Sequence, residues 1–311
     1  MNETKLYYML GLIYTYKCNA ECKMCIFSCS PKRDEKMSLE DAKKLVKDAK
    51  NAGIKLIGIS GGEPFIYFDE IVELSNYVRE QGLALTLTTN CFWATTYDVA
   101  VEKLSLLKAN GAEHIKISAD DFHAEFVPYE NIINVLRAGR TVNVRVVLGC
   151  TVTKNSSRLK GLLQHLENEV FGNILTEVSC YPIGRAENMN QDDFIYTNDI
   201  NNFCREQGML SVTPTGDVYP CGNICSFVPS RRVGSVYEES LKDLINKAES
   251  NIHTDHIARN GIKPYFDYIK ENNVPVEIDN RYTDTCHACY DLFRKKDNIK
   301  YLDEIASKLD N

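Results

Sequence analysis

Apolar positions in the first 185 or so residues fall into short runs, separated by stretches that repeat apolar residues at helical spacing. The runs predict strands at Tyr7–Tyr16, Ile54–Ser60, Leu83–Thr89, His114–Ala119, Val142–Thr151 and Ile174–Tyr181. The stretches between them predict helices near Ser38–Asn51, Phe68–Gln81, Val99–Asn110, Glu130–Arg140 and Ser157–Glu169. Ser38-x-x-Asp41 suits a helix start, and Gly53, Gly82 and Gly111 stand where helices end on a left-handed residue. Strands alternating with helices define an α/β class with a parallel sheet wound in one direction. Because the strands are fewer than a closed barrel requires, the expected form is a partial (β/α)6 barrel.

After Gly184 the rhythm breaks. Asn188–Asn202 is polar and reads as a connection with a short helix. Met209–Val212 and Asp217–Pro220 flank Thr213-Pro214-Thr215-Gly216 and predict a β-hairpin. Helices are expected at Glu238–Ser250, Thr254–Glu271 and Leu292–Leu309. The expected division is a core over residues 1–186 and an extension over residues 187–311.

Charge and composition narrow the function classes. Among 311 residues, 36 Lys and Arg face 43 Asp and Glu, a formal net charge of −7. That balance argues against a nucleic-acid binder with a broad basic surface. No signal segment precedes the first predicted strand, and no apolar stretch reaches the length of a membrane span. Cytoplasmic residence with no membrane partner is therefore expected. In a reducing compartment the twelve cysteines read as candidate metal ligands sooner than as disulfides.

Their spacing sharpens this. Cys18-x3-Cys22-x2-Cys25 follows the first predicted strand directly, at the rim where α/β sheets place their sites. Thiolates are the soft, anionic donors that iron–sulfur clusters take. Three of them leave one iron of a cubane open to a small molecule, as a catalytic metal keeps an open position. Farther on, Cys204, Cys221 and the pair Cys286-x2-Cys289 make a four-thiol set suited to zinc or to an iron–sulfur cluster.

The first cysteine run resembles the signature of the radical S-adenosylmethionine (SAM) superfamily. In that family SAM chelates the open iron of a 4Fe–4S cluster, and its reductive cleavage yields a 5′-deoxyadenosyl radical. Met24 stands where relatives usually carry an aromatic residue over the adenine. Gly61-Gly62-Glu63-Pro64 resembles the family's "GGEP" motif, which receives the SAM ammonium. Thr88-Thr89-Asn90 and Ser118-Ala119-Asp120 match strand tips that contact the SAM carboxylate and ribose. The resemblance thus implies Met24, Gly61, Gly62, Glu63, Pro64, Asn90, Ser118 and Asp120 as cofactor-binding residues. It leaves Arg185 and His123 as candidate contacts to SAM or substrate.

The spacing Cys204-x11-Gly216-x4-Cys221, followed by Cys286-x2-Cys289, resembles the twitch extension, a shorter relative of SPASM, and implies an auxiliary 4Fe–4S cluster. Cys29-Ser-Pro, Asn90-x-Phe92-Trp93 and Asp120-x-Phe122-His123-Ala124-x-Phe126-Val127 are similar to the radical SAM peptide epimerases of Gram-positive bacteria. Those enzymes invert Cα centres of a ribosomally made precursor peptide, and a thiol returns the hydrogen. There the thiol directly follows the hairpin cluster cysteine. Gly222 occupies that place here, and Cys225 is the candidate donor in the same loop. The resemblance implies a reduced flavodoxin- or ferredoxin-type electron donor. Cross-linking of a peptide and two-electron oxidation of a small alcohol are the alternative outcomes.

Overall fold

The computed structural model describes residues 6–197, 199–200, 204, 207–223 and 227–309. They form two compact units, the first built from Met9–Ile195 with Thr213–Thr215. In it, β1 (Met9–Thr15), β2 (Leu56–Gly61), β3 (Ala84–Thr89), β4 (His114–Ser118), β5 (Arg145–Val152) and β6 (Ile174–Ser179) pair in parallel, each with its successor. The connections carry α1 (Leu39–Ala52), α2 (Phe68–Glu80), α3 (Tyr97–Ala109), the single-turn α4 (Asp121–Ala124), α5 (Tyr129–Val142) and α6 (Arg158–Leu166). This is the expected α/β class and strand sequence.

Local chemistry explains the boundaries. Ser38 caps α1 by accepting from the Asp41 N–H, and Gly53 ends it at φ 89°. Strand alternation sorts the two faces of the sheet. Leu85 and Leu87 on β3, Ile115 and Ile117 on β4, and Val146 and Leu148 on β5 are buried. Residues of the alternate phase, Thr88, Lys116, Ser118, Gly149 and Thr151, turn to the opposite face and line a cavity. β1 is buried along its whole length.

The second unit comprises residues up to Tyr8, Tyr196–Val212 and Gly216 onward. The expected hairpin forms from β7 (Met209–Val212) and β8 (Asp217–Tyr219), and β9 (Gly234–Ser235) pairs antiparallel with β8. Five helices follow: α7 (Leu241–Glu249), α8 (Ile252–Asn260), α9 (Lys263–Glu271), α10 (Thr285–Arg294) and α11 (Ile299–Leu309).

Two expected helices are corrected here. The stretch over 254–271 divides into α8 and α9 because Gly261 takes φ 74° and Pro264, lacking an N–H, opens the next helix. The stretch over 292–309 divides into α10 and α11. Asn298 is buried between them and bonds Glu277 N and O, which diverts the backbone from helix. Among the described residues no helix is long and apolar enough to cross a membrane.

Candidate active site

The carboxyl ends of β1 and β2 close on each other through glycine. Gly62 N–H donates to Thr15 O at 2.7 Å, and Glu63 N–H donates to Lys17 O at 2.9 Å. A Cβ at Gly61 would press on Thr15 O, and one at Gly62 would press on Lys17 O. Gly61 also takes φ 138°, so both glycines are dictated by a backbone approach that no side chain allows. That approach delivers Cys18, Cys22 and Cys25 to a cavity of about 270 Å³, together with Met24, Gly61, Gly62, Asn90, Ser118 and Asp120.

The thiols sit in a braced loop. Ala20 N–H points at Cys18 Sγ at 3.5 Å, and Cys29 N–H points at Cys25 Sγ at 3.4 Å. Burial pushes the Cys18 thiol up to about 12 and raises Cys22 as well. A hydrogen bond from the Cys29 thiol does the opposite for Cys25 and holds it well below the usual thiol range. Metal binding at such a loop displaces protons from Cys18 and Cys22.

Arg185 proves to be part of this brace. Its Nη1 donates to Cys22 O at 2.7 Å, its Nη2 to Cys29 O at 2.6 Å, and its backbone N–H to Cys25 O at 3.0 Å. Gly184, at φ 65°, lets the segment press against Ile26 O. In this arrangement Arg185 positions the cysteine loop through its carbonyls.

Glu63 also works inside the protein. Its Oε1 accepts from Thr89 Oγ1 at 2.8 Å and Phe65 N at 3.0 Å, and its Oε2 accepts from Asn90 N at 2.6 Å. Burial raises its carboxyl to about 7. The side chain therefore ties the β2 tip to the β3 tip, while Pro64 starts a 3-10 turn capped by Glu63. Asn90 Nδ2 donates to Asn19 Oδ1 at 2.8 Å beside Cys18.

At the β4 tip, Asp120 Oδ1 accepts from His123 N at 3.0 Å and lies 2.8 Å from His123 Nδ1. Its Oδ2 accepts from Thr151 N at 3.1 Å. Burial opposes charge on both partners. The histidine's proximity and hydrogen bonds nevertheless hold Asp120 below its ordinary value, and Asp120 in turn raises His123. Lys116, Thr151 and Thr176 line the cavity and were not singled out from the sequence. Their signal was present as polar residues at alternate positions of otherwise apolar strands.

In the second unit, Cys204 and Cys221 share a thiol hydrogen bond, and Cys221 also senses Cys286. Cys289 senses Cys204. Cys286 and Cys289 lie one turn apart at the start of α10, whose N-cap Asp284 accepts from His287 N. Asn223 N–H donates to Cys221 Sγ at 3.3 Å. Among the described residues, no three metal-ligating side chains close on one point as they would around a single ion. Four thiols in one neighbourhood remain the donor chemistry of an iron–sulfur cluster. Cys225 lies outside the described residues.

A sequence model described as the radical SAM superfamily matches residues 12–152, and one described as an iron–sulfur cluster-binding domain, SPASM, matches residues 204–290. The chain carries a radical SAM domain followed by a SPASM-type extension. It uses SAM with a 4Fe–4S cluster, and its C-terminal part binds an auxiliary iron–sulfur cluster in place of the zinc alternative. A curated relative named for peptide biosynthesis, YydG of Bacillus subtilis (strain 168), is 27% identical over 293 residues, covering 92% of each chain. Among solved structures, SuiB of Streptococcus suis with S-adenosylmethionine superposes with TM-score 0.58 at 15% identity, over 77% of this chain and 65% of SuiB. The structure of anSMEcpe with bound AdoMet gives 0.59 at 14% identity, over 96% and 92%. These two share the fold.

Proposed function

We propose that this chain modifies a ribosomally made precursor peptide and inverts Cα centres from L to D. The observation that carries the peptide reading is the similarity to YydG, which runs along nearly the whole of both chains and whose name assigns that relative to peptide biosynthesis. Bound SAM and its cluster supply hydrogen-atom abstraction from an unactivated carbon. Cys18, Cys22 and Cys25 hold that cluster, and Cys204, Cys221, Cys286 and Cys289 hold the auxiliary one. Gly149 and the short polar side chains of Ser118, Thr151 and Thr176 line one wall of the cavity and suit contact with a peptide backbone.

Cys225 donates the returning hydrogen. A thiol S–H is weak enough to quench a Cα radical, so the peptide loses one hydrogen and regains one from the opposite face. The sulfur radical left behind takes up one electron and one proton before the next turnover, from a reduced flavodoxin- or ferredoxin-type protein. Cys225→Ala should keep cleaving SAM while inversion falls to background, measured by chiral amino-acid analysis of the hydrolysed peptide. Retained inversion in that variant overturns the donor assignment.

One observation favours a second reading. Gly222 backs onto Met209, whose Sδ would lie 2.5 Å from an added Cβ, so a thiol side chain at this position has no space unless Met209 moves. Oxidative cross-linking of the peptide requires no hydrogen donor there.

A further inference from the structure

Among the described residues, Arg231 is a buried cation without an anion. It is 8% exposed. Its Nη1 donates to Asn251 Oδ1 at 3.3 Å and its Nη2 to Thr254 Oγ1 at 3.0 Å, both neutral acceptors. Its Nε is buried with no partner. Among the described residues no carboxylate stands within ion-pair distance of it. A guanidinium removed from water on such terms is costly unless a negative charge faces it.

The surroundings name that charge. The guanidinium lies over the Phe293 ring, 4.8 Å from its centroid. Phe293 follows Cys289 by four residues on α10 and so shares its helix face. Ser230 Oγ donates to Phe293 O at 2.5 Å, which ties the arginine's segment to that helix. Cys204 and Cys289 pack on the same apolar cluster as Val228 and Phe293. The cation therefore stands beside the helix face that carries Cys289, against the apolar cluster on which Cys204 also packs, within one unit.

We infer that Arg231 is the built-in counter-charge of the auxiliary iron–sulfur cluster and holds its reduction potential up. A cubane with four thiolates is net anionic and gains a further negative charge on reduction, so a nearby buried cation favours the reduced form. Arg231 acts through the cluster and is a positioning residue. Removing its charge makes the cluster harder to reduce.

The inference rests on Cys204, Cys221, Cys286 and Cys289 as ligands, and the test separates the two. Full-length protein carrying Cys18→Ala, Cys22→Ala and Cys25→Ala is reconstituted without oxygen, so that the auxiliary cluster alone gives the signal. One four-iron cluster per chain in this parent, lost in Cys289→Ala, checks the ligands. Redox titration followed by electron paramagnetic resonance then compares Arg231, Arg231→Lys and Arg231→Met. The expected result is an approximately tenfold lower reduced-to-oxidised ratio at fixed potential in Arg231→Met, equal to about 59 mV for one electron. Arg231→Lys should stay near the parent. Cluster loss in Arg231→Met with retention in Arg231→Lys supports the same conclusion. An unchanged midpoint in Arg231→Met, or cluster loss in both variants, overturns it and leaves Arg231 a packing residue over Phe293.

Discussion

At the β4 tip, Asp120 and His123 form a partly buried pair whose members shift each other in opposite directions. His123 is raised above 6.5, so its share of stability is full below that value and is lost as pH rises through its folded pKa. Asp120 is lowered from 3.8, so its share is present above that value and fails only as pH falls through the depressed one. His123→Asn should therefore cost about 2 kcal/mol near pH 5.5 and clearly less near pH 8.5. Anaerobic unfolding of both proteins at each pH checks this, and a pH-independent difference contradicts the ion pair. At this scale the sequence showed which residues matter more readily than what they touch. "GGEP" and the strand-tip polar residues were legible as motifs. That the Glu63 oxygens are taken up by Thr89, Phe65 and Asn90 depends on the approach of two strands, which no local pattern encodes.

Among elements, the segment after β6 contributes most to the site without carrying a ligand. Arg185 clasps three carbonyls of the cysteine loop, about 160 residues earlier in the chain. Hydrogen bonds to a charged donor contribute roughly 1.5–3 kcal/mol each, so Arg185→Ala should loosen the loop by more than about 2 kcal/mol. Iron release from the SAM-site cluster to a chelator should then quicken, with Arg185→Lys intermediate. Iron release at the parent rate contradicts the brace. Strand and helix order in the first unit was readable because hydrophobic period switches cleanly between strands and helices. In the second unit the helix breaks at Gly261 and Asn298 were missed. A single glycine is compatible with a continuing helix, and the bonds from Asn298 to Glu277 are tertiary.

For the whole molecule, the two thiol sets differ in how openly the chain declares them. Cys18, Cys22 and Cys25 lie within eight residues, and their spacing alone suggests an open-sited cluster. Cys204, Cys221, Cys286 and Cys289 are scattered over the second unit, so their number and residue type marked a four-thiol metal set, while the choice of an iron–sulfur cluster over zinc became readable only through resemblance to a known extension. The proposed reaction depends on one further thiol and on where a hydrogen atom goes, and it is most directly followed in the product. The reconstituted, reduced enzyme would be given SAM and peptides encoded beside its gene, in heavy water, and the products weighed. The account predicts one deuterium gained per modified residue with unchanged fragmentation, the mark of hydrogen returned from an exchangeable thiol. Loss of two hydrogens, with no deuterium at Cα, would contradict epimerisation and point to a cross-link.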